Sequence, residues 1–397
     1  MCPIIADGLQ RGHVVKRYKN SYSIILNLGT DPTTGKRKQQ WISYKGTKKD
    51  AEKRLSELLH QLDTGTFIKP EKTTLGEFLE RWLNDYRHNI SPRTAEGYEH
   101  IVRHYIITSL GRITLTQLKP EHLQRYYSEA LSHGLSAQTV RHHHTVLHKA
   151  LQTAVGYGEL ARNVADAVSL PKVQRTEMHI WEEDDILHFL EIAKGTPYYA
   201  LFYTALFTGM RRSELLALRW QDVDVVQSQI YVSRSLHCLK GGSVIFSPTK
   251  TPKGRRAISL PPSATITLRK YQEEQKLERV ILGAPLKDSD LVFSHPDGNP
   301  LLPNTVTHAW IALVRRSGLN PIRLHDARHS HASLMLKQGI HPKVVQERLG
   351  HANITVTLDT YSHVTPGLQE AAAKLFDEAF TSKYNSDAEN EGVKKIG

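Results

Sequence analysis

The sequence predicts a multidomain α+β protein, and three observations carry that prediction: a period-two stretch near the N-terminus, four capped helical stretches in succession, and a longer region mixing helices with short strands. At 397 residues the chain exceeds one ordinary core, so several domains are expected. The layout is a small three-stranded sheet plus helix (residues 1–70), an all-α four-helix domain (71–169), a linker (170–176), and a mixed, mainly helical α+β domain with a C-terminal tail (177–397).

The sheet is read from residues 12–44. Tyr22, Ile24, Leu26 and Leu28 alternate with Ser23 and Asn27, the period of a half-buried strand. Asp31-Pro32-Thr33-Thr34-Gly35 is turn chemistry, and Lys36-Arg37-Lys38 opens the next strand, which ends near Trp41 to Tyr44. A helix from about Thr47 to Asp63 follows, its apolar stripe made of Leu55, Leu58, Leu59 and Leu62.

Thr74-Leu75-Gly76-Glu77 is a capping box that opens the helical domain. Ser91-Pro92 starts a second helix that runs to about Gly111. A third spans about 120–133 and stops at Gly134, and Ser136 caps a fourth that reaches Gly156. On the fourth, Arg141, Thr145, His148 and Gln152 share one face, without carboxylates, that suits a DNA backbone. His142-His143-His144 is no chelate, because consecutive helix positions point about 100° apart. Beyond Pro171, helical stretches at 182–194, 198–207 and 211–218 precede strands at 229–233, 244–248 and 256–260. Helices then continue to about residue 380.

Composition narrows the partners. The net charge is +12, and residues 1–70 hold 13 Lys/Arg against 6 Asp/Glu, a basic head that suits a polyanion. Lys36, Arg37 and Lys38 are its candidate DNA contacts, with Arg141 and His148 in the helical domain. No run of 18 apolar residues suggests a membrane span, and the N-terminus lacks a signal-peptide layout. Two distant cysteines, Cys2 and Cys238, fit a reduced, cytoplasmic protein.

Five segments of the last region carry chemistry. They are Thr208-Gly209-Met210-Arg211-Arg212-Ser213-Glu214; Thr249-Lys250-Thr251-Pro252-Lys253, read as a hairpin tip; His325-Asp326-Ala327-Arg328-His329; Leu349-Gly350-His351; and Leu358-Asp359-Thr360-Tyr361. Two arginines, a lysine, two histidines and a late tyrosine, without a carboxylate cluster for Mg²⁺, form a toolkit for metal-free phosphoryl transfer.

This ordered set resembles the tyrosine recombinase (phage integrase) family, whose pattern is Thr-Gly-x-Arg-x-x-Glu, a β-hairpin Lys, His-x-x-Arg, Leu-Gly-His and then Tyr. The pattern falls on Arg211 with Glu214, Lys250, His325 with Arg328, His351, and Tyr361. Tyr361 follows His351 by ten residues, one more than in many members, a spacing similar to integrases of Gram-positive elements. The resemblance implies a core-binding role for the four helices and an arm-binding role for the head. It also implies a site-specific recombinase that integrates and excises a mobile element through a 3′-phosphotyrosyl intermediate, with no metal, nucleotide or other cofactor. Its implied partners are double-stranded DNA with core and arm sites, three further copies of the chain in a homotetramer, a host DNA-bending protein and an excision factor. The segment from Pro366 is similar to the family's tail that docks on a neighbouring protomer. Lys253 is a rival to Lys250. A type IB topoisomerase, a catalytically silent DNA-binding regulator and a zinc hydrolase built on His325, His329 and His351 are the alternative readings.

Overall fold

The computed structural model describes residues 11–30, 35–64, 72–174, 179–249, 251–361, 373, 374 and 376–378, with backbone alone at Pro252, Val356 and 359–361. Residues 31–34 of the expected Asp31–Gly35 turn and most of the segment from Pro366 lie outside the described residues. The chain divides into two compact units, 1–175 and 176–397. The division falls inside the expected linker.

Strands β1 (Gly12–Tyr18), β2 (Ser21–Thr30) and β3 (Arg37–Lys45) of the first unit form an antiparallel sheet in chain order. Helix α1 (Lys48–Asp63) starts at a Thr47–Asp50 capping box. Ile24, Leu26 and Leu58 form a small core, with Val14, Ile42 and Leu55 packed around it. The register places His13, Ile25 and Trp41 side by side on the opposite face. Lys36, Arg37 and Lys38 are all exposed.

A separate core occupies the helical part of this unit. It is built on α2 (Leu75–Tyr86), α3 (Pro92–Ile101), α4 (Ile107–Leu110), α5 (Pro120–Ser132) and α6 (Ala137–Gly156). The expected second helix is continuous but carries a π-turn at Val102–Ile106 between α3 and α4. His143 is buried against the Tyr126 hydroxyl, and His144 bonds Tyr127. These two adjacent histidines thus serve different tyrosines.

Helices α7 (Glu183–Ala193), α8 (Tyr199–Thr208) and the short α9 (Arg212–Leu215) begin the second unit. The strands are β4 (Val223–Asp224), β5 (Gln229–Val232), β6 (Arg234–Cys238), β7 (Val244–Pro248) and β8 (Arg256–Ser259). Five helices follow: α10 (Pro262–Ile281), α11 (Pro303–Ser317), α12 (Leu324–Lys337), α13 (Pro342–Leu349) and α14 (Ile354–Tyr361). Trp181, Phe189, Phe202 and Trp310 stack at the centre of the core, with ring centroids 4.5–6.0 Å apart. The indole N–H groups of Trp181 and Trp310 donate to the Asn320 and Ile322 carbonyls, so no polar atom of either ring is stranded.

The strand pairing corrects one expectation. Strand β7 pairs with β6, whereas β8 pairs with β5 in the β4-β5-β8 sheet. The segment carrying Lys250 and Lys253 therefore crosses between two ladders and is not the tip of a β7–β8 hairpin. The mistake has a physical source. Strand β6 reads Arg-Ser-Leu-His-Cys, too short and polar to announce itself, so the sequence showed no partner for β7 nearer along the chain than β8.

Candidate active site

Two glycine turns and one helix bring the motif residues together. Helix α8 ends at Gly209, whose φ of 63° is left-handed. A Cβ there would lie 2.7 Å from the His331 ring and 2.8 Å from Leu349. Only glycine fits, on both counts. Two residues later Arg211 caps α9, its backbone N–H donating to Glu214 Oε2 at 3.0 Å and its guanidinium to Glu214 Oε1 at 2.8 Å. The Arg211 side chain remains 36% exposed while that of Glu214 is 2% exposed, so the pair reaches from the core to the surface.

Helix α12 supplies the next pair. Arg328 is buried and donates to the Gly209 carbonyl at 2.7 Å and the Leu349 carbonyl at 2.6 Å. One guanidinium thereby ties the turn before Arg211 to the turn before His351. His325, three residues earlier, is exposed at the same end of the helix, and its ring meets His329 edge-on at 5.1 Å.

The second turn is at Gly350, left-handed at φ 66°, which ends α13 and delivers His351. A Cβ on Gly350 would sit 3.0 Å from both Arg256 Cδ and the Lys253 carbonyl. His351 Nδ1 pairs with the fully buried Thr357 hydroxyl at 2.9 Å. Thr357 lies on α14, one turn before Tyr361. The Tyr361 side chain and all of Lys250 lie outside the described residues. Lys253 donates its ammonium to the Ala352 carbonyl at 2.7 Å, next to His351.

Electrostatics follow from this crowding of cations. Desolvation, then the Arg328 and Arg211 charges, push His351 down to about 3. Desolvation and the neighbouring His325 bring His329 to about 4. His325 is lowered too, by desolvation first and the Arg328 charge second. All three are neutral imidazoles near pH 7, able to accept a proton. Burial alone would raise Glu214, but hydrogen bonds and charge from Arg256, and the charge of Arg211, override it and hold the carboxyl below its ordinary value. Glu214 stays ionised.

Sequence reasoning missed four members of this site: Arg256, His331, Arg348 and Thr357. Arg348 donates to His331 Nε2 and to the Phe207 and Ser259 carbonyls, packing behind Gly209. The Thr-Gly-Met-Arg turn offered a signal for His331, since a glycine that tight implies a bulky neighbour. The DNA-contact candidates of the helical domain stand differently from expectation. Arg141 donates to the Pro171 carbonyl, His148 pairs with Asp166 at 2.7 Å, and Gln152 meets Asn163. That face thus holds the segment 163–171 of its own chain.

Residues 179–367 match the phage integrase family, and residues 74–131 match the N-terminal SAM-like domain of phage integrases. An integrase of Streptomyces ambofaciens is 31% identical, over 88% of this chain and 91% of its own length. The ICEBs1 integrase of Bacillus subtilis is 27% identical, covering 92% and 99% respectively. The Tn1549 transposon integrase, solved with transposon right end DNA, shares the fold at a TM-score of 0.66 and 22% identity, over 77% of this chain and 99% of that one. A lambda integrase tetramer bound to a Holliday junction gives 0.57 at 21% identity, over 89% and 95%.

Proposed function

The chain belongs to the phage integrase family of tyrosine recombinases and is a site-specific integrase, and we propose that Tyr361 is its nucleophile, served by Arg211, Lys250, His325, Arg328 and His351. The observation that carries this reading is the Arg328 guanidinium, which pins the turns before Arg211 and His351 into one cationic pocket.

A phenol with a reference pKa of about 10 is ionised in roughly one molecule in a thousand at pH 7. A neutral His325 offsets this by accepting the phenolic proton as attack on the scissile phosphate proceeds. Arg211 and Arg328 stabilise the charge that gathers on the non-bridging oxygens. His351, oriented by Thr357, adds a hydrogen bond to the phosphate. Lys250 protonates the departing 5′-oxygen; supporting it over Lys253 is the Lys253 bond to the Ala352 carbonyl. The products are a 3′-phosphotyrosyl bond and a free 5′-hydroxyl. A different 5′-hydroxyl reverses the step, because the bond energy is retained. Cutting and rejoining are then one reaction run in two directions, which is how a mobile element integrates and excises.

On this reading the helical domain grips core-type DNA, the basic head grips arm-type sites, and four copies assemble on two DNA sites, with a host DNA-bending protein and an excision factor setting direction. The solved relatives include an integrase dimer on a core site and a tetramer on a Holliday junction, which support the assembly. The test of the chemistry is a DNA substrate nicked near the crossover point. A covalent protein–DNA adduct is expected in EDTA and is expected to vanish in Tyr361→Phe. An adduct undiminished in that variant would falsify the assignment.

A further inference from the structure

Glu214 is nearly fully buried, yet two guanidinium groups share it. Arg211 donates to Oε1 at 2.8 Å. Arg256 donates from both ends of its fork, to Oε1 at 3.2 Å and Oε2 at 2.9 Å. The Arg256 side chain is itself only 5% exposed. It is held from behind by the Arg348 carbonyl, 2.6 Å from its Nε, and by the Gly254 carbonyl at 3.1 Å. These contacts fix the fork against the carboxylate, whichever way Arg211 turns.

The consequence is a matter of charge. One carboxylate facing Arg211 alone would neutralise it and hold the guanidinium by its shortest available contact. A carboxylate also met by a two-point, charge-assisted fork divides its single negative charge between two cations, so it no longer cancels the charge of Arg211 alone. The cluster Arg211–Glu214–Arg256 keeps one net positive charge, and the exposed member carries it outward.

We propose that Arg256 is a positioning residue for strand transfer: it takes up the charge of Glu214 so that Arg211 meets the scissile phosphate as a full cation. This rests on the reading of Arg211 as a phosphate-binding residue.

The experiment uses the full chain and the nicked substrate, and reads the single-turnover rate of adduct formation beside DNA affinity and thermal unfolding. Arg256→Gln leaves Glu214 to Arg211 alone, and is expected to slow the adduct roughly 10- to 100-fold, the span of coupling within one ion-pair network. Glu214→Gln removes the charge that captures Arg211, so the double variant Glu214→Gln/Arg256→Gln is expected to be faster than Arg256→Gln and within about twofold of Glu214→Gln. A role in packing alone predicts no such rescue, and a double variant no faster than Arg256→Gln overturns the proposal. Should Arg256→Gln fail to fold, Glu214→Gln and the double variant carry the test by themselves. Equal rates support the proposal, and a slower double variant overturns it. An Arg211→Ala chain at the wild-type rate would instead overturn the reading of Arg211, whatever Arg256 does.

Discussion

Gly209→Ala separates two costs that the structure allows to be worked out. At φ 63° any L-residue loses roughly 1–2 kcal/mol to the left-handed backbone. The added Cβ would also lie 2.7 Å from His331 and 2.8 Å from Leu349, and forcing an extra carbon into packed surroundings costs about 1–3 kcal/mol. Together the loss is about 2–5 kcal/mol. Gly318 supplies the control. It ends α11 at φ 71° with nothing within 4 Å of a built Cβ, so Gly318→Ala bears the backbone cost of roughly 1–2 kcal/mol and nothing more. Urea unfolding of the two variants beside the wild type reads both terms. The displaced neighbours matter for activity as well, because Arg328 is anchored on the Gly209 and Leu349 carbonyls. Gly209→Ala should therefore slow adduct formation on the nicked substrate, while Gly318→Ala leaves it unchanged. Equal destabilisation by the two variants would refute the steric argument.

Three further outcomes are expected. His329, His331 and His351 are held at about 4, 3 and 3 in the folded chain, against an ordinary value of 6.5, so the unfolded chain binds more protons between those limits. Stability is thus full above about pH 6.5 and falls as pH drops toward 4, visible as a lower Tm at pH 5 than at pH 7.5; a Tm flat over that interval contradicts it. Thr357→Val keeps the shape but removes the partner of His351 Nδ1, which should cost about 1–3 kcal/mol and slow the adduct; a rate equal to wild type would show that the His351 ring needs no such anchor. Trp41 is 51% exposed on the sheet face away from α1, with the Arg17 guanidinium 5.2 Å above its ring. Trp41→Ala should leave stability within about 0.5 kcal/mol and weaken arm-site binding about tenfold in a gel-shift titration, and undiminished binding would remove this face from the DNA contact.

The sequence by itself determined what is written locally. The Thr74–Glu77 capping pair, the Ser91-Pro92 start and the glycine stops fixed where helices begin and end, because each signal acts within one turn of chain. The period-two run of β2 placed Ile24 and Leu26 in a core in the same way. The catalytic candidates were legible too, since each sits in a short motif whose order along the chain is its own evidence. Tertiary structure alone decided which of these groups touch. The polar strand β6 took β7 as its partner and turned an expected hairpin into a crossover. Arg256 reached Glu214 from 42 residues away, and Arg328 reached Gly209 from 119. The polar face of α6 met residues 163–171. Such contacts leave no period in the sequence, because a buried ion pair or hydrogen bond is selected by what the packed core brings within about 3 Å, not by spacing along the chain.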